Sequence, residues 1–233
     1  MKKVFLSVVL PAYNESENIE KTVRDTVSHI EGRFADYEII VVNDGSIDGT
    51  REIVERLSLS NPRVVLENHP VNLGYGSALR SGFDRASLDY IFFMDSDGQF
   101  DIRDIDRLLP YIEDYDVIVG YREKRADPFI RSLNTWLYQL YIRLLFGLKL
   151  RDVDCAFKLL PKNAYNAIKP IKSGGALFSA EFLIKLEKKG FKIKEVPVRH
   201  FSRRFGSQTG ANLRVILRMF KECWKLRDEL RIL

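Results

Sequence analysis

Two carboxylates two positions apart, Asp95 and Asp97, follow the apolar run YIFFM in the segment MDSDGQF. At the exit of a buried strand such a pair can turn toward one hard cation and leave coordination positions for phosphate oxygens. That chemistry suits Mg²⁺ or Mn²⁺ bound to a diphosphate. An ordinary acidic turn has the same letters, so the weight comes from the company the pair keeps. LSVVL runs into Pro11-Ala12-Tyr13-Asn14-Glu15, and EIIVV runs into Asn43-Asp44-Gly45-Ser46. In open parallel sheets ligands bind beyond the carboxyl ends of the strands, so the three clusters should face one edge. Asp44 also lies in NDGSIDGT, which is good turn and helix-capping chemistry. Asp48 or Thr50 can cap a helix there while Asp44 faces a ligand.

Weaker signals surround these three. Asn72-Leu73-Gly74-Tyr75-Gly76-Ser77-Ala78 is a glycine-bearing entry to a helix, where backbone N–H groups can approach a base or phosphate. It has neither GxGxxG spacing nor a Walker lysine, which argues against a dinucleotide enzyme or a P-loop NTPase. Arg122, Arg131, Arg203 and Arg204 are the cations that could draw anions together. Ser207, in HFSRRFGSQ, can add a hydrogen bond. Asp154 in DVDCAFK and Glu181 in FSAEF are acids among apolar neighbours, which points to roles beyond solubility.

The elements that must position these groups are legible in outline. Apolar runs alternate with segments of helical period through the first half: LSVVLP, a helix over about 16–30, EIIVVND, a helix after Asp48, RVVLENH, a helix over about 76–86, and DYIFFMD. Strands apolar on both faces and separated by helices predict a parallel sheet covered on both sides, a Rossmann-like α/β layer. Beyond Asp97 the spacing predicts a helix over about 102–115, the strand DVIVGYR, helices over about 130–146 and 180–189, the strand KIKEVPVRHF and a terminal helix over about 212–231.

With 233 residues and 45% hydrophobic content the chain can bury one sizeable core, so one elaborated domain is expected. Cys155 and Cys223 stand in unrelated contexts without a CxxC pair, which argues against a disulfide framework or a zinc site. The opening MKKVFLSVVLP stops at Pro11 with no small-residue cleavage site after it, so it reads as a first strand and a cytoplasmic chain is expected. No stretch approaches the ~18 uncharged apolar residues of a spanning helix. The net charge of +5 is concentrated toward the C-terminus, which could meet nucleic acid, anionic lipid or a phosphate-bearing substrate. Nucleic acid ranks last, for want of a helix carrying polar base-contacting residues.

Taken together, PAYNE, VVNDGSIDGT, NLGYGSALRSGF, MDSDGQF, VGYR, DVDCAFKLL and RRFGSQ resemble glycosyltransferase family 2, in its branch of dolichyl-phosphate mannosyltransferase-like and polyprenyl-phosphate glycosyltransferases. They occur in the family's order and cover nearly the whole chain. The resemblance implies a GT-A fold over 1–233, with a nucleotide-sugar-binding half (1–99) and an acceptor half (100–233). Pro11, Tyr13, Glu15 and Asp44 would hold base and ribose, and Asp95, Asp97 and Gln99 the Mg²⁺ or Mn²⁺ and the diphosphate. Arg122 would lie near the phosphates, and Arg131, Arg203 and Ser207 would hold the acceptor phosphate. Family members often carry lysine after the GxS of the late loop, where this chain has Gln208.

The implied reaction is inverting transfer of a hexose from a UDP- or GDP-sugar to a polyprenyl phosphate, dolichyl or undecaprenyl. A phosphate monoester has its second pKa near ~6, so at neutral pH it is largely dianionic and needs no strong base. An acceptor hydroxyl on a glycan or soluble substrate would need one, and Glu181 occupies the family's position for it. The QxxRW-type motif of polymerising relatives is absent from the sequence. Two other classes compete: a nucleotidyltransferase, which PAYNE does not announce, and a non-catalytic nucleotide-sugar-binding protein, which gives no reason for an acidic pair together with arginines.

A lipid acceptor also gives the apolar-aromatic helix over about 130–146 and the basic amphipathic helix over about 212–231 a purpose as interfacial helices, with core packing as the plain alternative. The expectation is peripheral association with the cytoplasmic face of a membrane. Some relatives carry C-terminal transmembrane helices, so a separate membrane-anchoring subunit is a further expected partner.

Overall fold

The β-branched runs of the first half form parallel strands, because each is apolar on both faces and must be covered twice. The computed structural model describes residues 3–123, 129–175, 177–203, 205 and 222–228, and the backbone alone over 129–135. In chain order, β1 (Phe5–Ala12), α1 (Ile19–Ile30), β2 (Asp36–Asp44), α2 (Thr50–Ser60), β3 (Val64–His69), α3 (Tyr75–Arg85) and β4 (Tyr90–Met94) make the doubly wound half. Then come 3₁₀ turns at Ile102–Arg107 and Leu109–Tyr111, β5 (Val117–Arg122), α4 (Phe129–Phe146), β6 (Phe157–Pro161), α5 (Lys162–Ala167), α6 (Leu177–Lys188) and β7 (Ile193–Val198).

The seven strands lie in the order β3-β2-β1-β4-β6-β5-β7. All neighbours run parallel except β6, which is antiparallel to both β4 and β5. The sheet is therefore mostly parallel, as the sequence predicts. Alternating side chains feed two cores. Val9, Ile40, Val42, Ile91, Phe93 and Val119 point to the face covered by α3, α4 and α6. Leu6, Val8, Leu10, Val41, Phe92 and Ile118 point to the face covered by α1, α2 and the 3₁₀ turns. Gly82 of α3 lies flat on Val9 and Val42, leaving no room for a side chain.

Two local readings need correction. The helix predicted over 102–115 is two short 3₁₀ turns, because Pro110 lacks an N–H and its ring crowds the preceding turn. Asp101 caps the first of them by accepting from Arg103 N–H at 3.0 Å. The stretch 152–160, to which the sequence reading assigned no element, ends in β6, and α5 follows unforeseen. Of the terminal helix, only 222–228 is among the described residues; it is helical and buries Cys223 and Leu226 beside Tyr138 and Ile142 of α4. Among the described residues no helix is long and apolar enough to cross a membrane.

Candidate functional site

The chain leaves β1 toward β2 on one side while β4 pairs on the other, so the strand order reverses at β1 and opens a crevice beyond the strand ends. The three polar clusters meet there and are stitched together. Asn14, at a left-handed φ of 55°, donates its N–H to Ser46 Oγ at 2.9 Å and accepts from Ile47 N–H at 2.9 Å. Glu15 N–H donates to Thr50 Oγ1 at 2.8 Å, and Ser16 N–H to Asp48 at 3.1 Å. The hydroxyl of Ser96, between the two aspartates, donates to the Pro11 carbonyl at 2.6 Å. Asp48 and Thr50 thus serve the loop architecture, and Asp44 is left to other work.

Asp95 and Asp97 stand at the crevice floor. The Tyr75 hydroxyl donates to the Asp95 carboxylate, and Gln99 N–H donates to Asp97 Oδ1 at 3.0 Å. Burial, with the neighbouring charge of Asp97, holds the Asp95 carboxyl above the ordinary carboxylate range, while Tyr75, Arg122 and Lys158 pull against that. Two hard-oxygen donors whose charges repel are the donor set that a divalent cation neutralises, so the residues fit Mg²⁺ or Mn²⁺. Gln99 turns its side-chain N–H to the Phe201 carbonyl at 3.1 Å, and Phe201 N–H returns to the Gln99 carbonyl at 2.9 Å. That reciprocal pair lays the segment after β7 across the crevice. From it Arg203 pairs with Glu15 and reaches Asp97 Oδ2 at 3.4 Å.

Arg122 lies close enough to Asp95 to act on its charge, but its guanidinium forks onto Asp152, at 2.7 and 2.8 Å. Burial disfavours the cation there, and the Asp152 hydrogen bonds outweigh it and keep the group firmly protonated. Lys158, fully buried in β6, donates to the carbonyls of Val153 and Cys155. It holds the 152–155 turn from beneath, with Asp154 beside it.

Asp44 is buried at the end of β2, where it accepts from Leu73 N–H at 2.9 Å, Gly74 N–H at 2.8 Å and the His69 ring. It ties the entry of α3 to the sheet edge. Glu181 is buried on α6, and both its oxygens accept from Lys172 N–H, at 3.1 Å, with Ser173 N–H at 2.7 Å and Lys185 Nζ at 2.5 Å adding to the set. Burial alone would raise its carboxyl, yet these hydrogen bonds hold it below 4.5. The loop it anchors abuts Gly76, and Arg80 of α3 donates to the Ser173 carbonyl at 2.6 Å.

Of the residues singled out in the sequence, Pro11, Glu15, Asp44, Asp95, Asp97, Gln99, Arg122 and Arg203 lie around this crevice, and Tyr13 stands exposed on the β1 loop. Glu181 acts one layer behind, on the loop against α3. Ser207, Arg204 and the side chain of Arg131 lie outside the described residues. His69 went unnoticed in the sequence, and Tyr75, Asp152 and Lys158 lay inside quoted motifs without a role of their own. The only signal was a lysine inside the apolar run CAFKLL, where a strand has no solvent for it.

The family model for Glycosyl transferase family 2 matches residues 7–168. Glycosyltransferase AglD of Haloferax volcanii is 35% identical over 204 residues, covering 84% of this chain and 33% of that protein. A dolichyl-phosphate beta-glucosyltransferase of Trichomonas vaginalis is 30% identical over 84% of this chain and 64% of its own length, and one of Saccharomyces cerevisiae 28% over 84% and 67%. The chain thus spans between a third and two thirds of the length of these curated relatives. Among solved structures, glucosyl-3-phosphoglycerate synthase from Mycobacterium tuberculosis, in complex with Mn²⁺ and UDP-glucose, superposes with a TM-score of 0.72 at 20% identity, covering 96% of this chain and 79% of that one. The mostly parallel sheet with its strand-end crevice has the GT-A fold, and the chain belongs to glycosyltransferase family 2.

Proposed function

We propose that the chain transfers a hexose from a nucleotide diphosphate sugar to a polyprenyl phosphate, with inversion at the anomeric carbon. The observation that carries the choice of acceptor is the state of Glu181. A general base needs a free oxygen and a pKa near the working pH. The Glu181 carboxylate has its oxygens occupied by Lys172, Ser173 and Lys185 and lies below 4.5. An acceptor that arrives already ionised avoids the need for such a base, and a phosphate monoester does so at neutral pH. The dolichyl-phosphate relatives support the same reading.

In this reading an acceptor phosphate oxygen attacks the anomeric carbon from the face opposite the diphosphate. The new C–O bond forms as the bond to the diphosphate breaks, and the diphosphate leaves with the electron pair. Asp95 and Asp97 would hold Mg²⁺ or Mn²⁺, which supplies Lewis-acid stabilisation of the leaving charge. Tyr75 orients Asp95 by hydrogen bonding. Asp152 holds Arg122, and Lys158 supports the same turn, so two cations lie under the site without reaching outward. Arg203 is the cation positioned to move between Asp97 and an incoming phosphate; Arg131 and Ser207 belong to the same proposed acceptor group. Asp44 and Tyr13 would take the base.

Peripheral membrane contact belongs to this reading as well. α4 exposes Trp136, Leu137, Leu140 and Leu144, and Trp224 stands exposed nearby in sequence 222–228 with Arg227 over its ring at 5.0 Å. Exposed indoles, leucines and arginines are the composition of a helix lying in the headgroup region.

The test is nucleotide release from UDP- and GDP-sugars with Mg²⁺ or Mn²⁺, run with and without a polyprenyl phosphate. Release that requires both metal and lipid is expected. Metal-dependent release indifferent to the lipid would move the acceptor to a hydroxyl compound.

A further inference from the structure

The segment after β7 is pinned to the crevice rim at its start, middle and end. Arg199 donates its backbone N–H to Asp104 Oδ2 at 2.7 Å and Nε–H to Asp104 Oδ1 at 2.9 Å, and Asp104 is buried in the first 3₁₀ turn. The Phe201 backbone exchanges hydrogen bonds with Gln99. Arg203 pairs with Glu15 and turns Nε–H back onto the Phe205 carbonyl at 2.6 Å. Attachments so close together leave the segment little freedom to lose when a ligand settles on it.

A strap held this way has the chance to tuck its rings inward. His200 does so, with its ring centroid 5.3 Å from that of Phe100. Phe201 and Phe205 do not, and stay 45% and 46% exposed. The Arg199 guanidinium lies over the Phe201 ring, 6.0 Å from its centroid. Single exposed apolar side chains are ordinary on a protein surface; two phenyl rings on either side of one guanidinium make a surface that is apolar and cationic at once. Two positions of extended chain span at most about 7 Å, so each ring is rooted within that distance of Arg203.

We propose that Phe201 and Phe205 hold the first isoprene units of the acceptor while Arg203, between them, meets its phosphate. A prenyl phosphate carries the same two chemistries in the same proximity: a head that is largely dianionic at neutral pH, joined directly to a branched apolar chain. The rings take that chain out of water where it enters the crevice. Neither a glycan hydroxyl nor free phosphate offers both halves. The proposal rests on the polyprenyl-phosphate reading above and names the residues that read the lipid end of that acceptor. A bilayer could use the same rings, so the probes that test it are free of vesicles.

Titration calorimetry on the whole chain with geranyl phosphate or methyl phosphate, both soluble without vesicles, isolates the lipid end. Geranyl phosphate is expected to bind at least about tenfold tighter, the scale of covering roughly half of a leucine-sized group. Phe201→Ser combined with Phe205→Ser should bring the two ligands to within about threefold of each other, with the loss falling on geranyl phosphate and melting unchanged, since both rings are exposed. Phe201→Leu combined with Phe205→Leu should keep most of the preference, because the prenyl chain needs apolar surface more than ring shape. Equal affinity for the two ligands in the native chain, or a preference that survives the serine pair, would overturn the proposal while lipid-dependent nucleotide release keeps the acceptor reading. A serine pair that loses only co-sedimentation with vesicles would give the rings to the bilayer and overturn it too. A chain that takes neither phosphate and releases nucleotide without regard to lipid overturns both.

Discussion

Arg203 pairs with Glu15 across 188 positions of sequence. The pair fastens the segment after β7 to the loop after β1, over the acidic pair that follows β4. Burial, with the neighbouring charge of Asp97, raises the Glu15 carboxyl above its ordinary value, and the Asn18 hydrogen bond and the Arg203 cation pull against that. One guanidinium therefore bridges the loop after β1 and the acidic pair after β4.

Removing that cation should affect both stability and transfer. Arg203→Ala takes the guanidinium from two mostly buried carboxylates, leaving Glu15 with the Asn18 amide and Asp97 with Gln99 N–H, and should cost about 1–3 kcal/mol in thermal unfolding. A double-mutant cycle with Glu15→Gln should give a coupling of at least ~0.5 kcal/mol. Additive losses would mean that the two side chains act independently.

Asp97→Asn keeps the shape of the side chain and its contact with Gln99 N–H. Transfer is expected to fall by on the order of 10²–10³, the scale for losing a central electrostatic contact, with little change in melting. Chelation of divalent cations should abolish transfer by the native chain, with recovery on adding Mn²⁺. Activity that survives either treatment would remove the metal role from the pair.

For Glu181→Gln the two acceptor readings diverge. A loop anchor predicts a stability loss of about 1–3 kcal/mol with transfer largely retained once the chain is folded. A general base predicts a loss of activity on the order of 10²–10⁴ at unchanged stability. The pH dependence gives a second readout. Because the folded carboxyl is held below its ordinary 4.5, its stabilisation is complete above 4.5 and is lost as pH falls through the folded value. Melting of the native chain should drop more steeply with acid than that of the variant.

Lys158→Met should leave the carbonyls of Val153 and Cys155 without their buried donor, at a cost of about 1–3 kcal/mol. The 152–155 turn should loosen, seen as faster amide hydrogen exchange there than in β1 and β2. Unchanged protection would separate Lys158 from the turn.

Replacing Trp136, Leu140 and Leu144 together by serine should reduce co-sedimentation with vesicles containing anionic lipid and leave melting nearly unchanged, since all three are exposed. A large drop in melting at unchanged vesicle binding would assign this face of α4 to packing.

The doubly wound half and the sheet edge where chemistry belongs are legible in the residues alone. The runs LSVVL, EIIVV and YIFFM are apolar on both faces, which only a covered parallel strand satisfies, and polar residues at their ends must then share one rim. The sequence also marked Asp95, Asp97, Asp44 and Glu15, acids that follow apolar strands, and Arg203, a cation of the polar loop HFSRRFGSQ. Which of these groups face one another emerges only in the folded chain. No local spacing tells that Arg122 is held by Asp152, that Glu181 is bound to a loop, or that His69 stands against Asp44. Those pairings depend on strand order and on β6 running antiparallel, which long-range packing sets. The same reason explains the 3₁₀ turns near Pro110: a periodic apolar pattern fixes which face is buried, while the backbone hydrogen bonds available there fix the kind of helix.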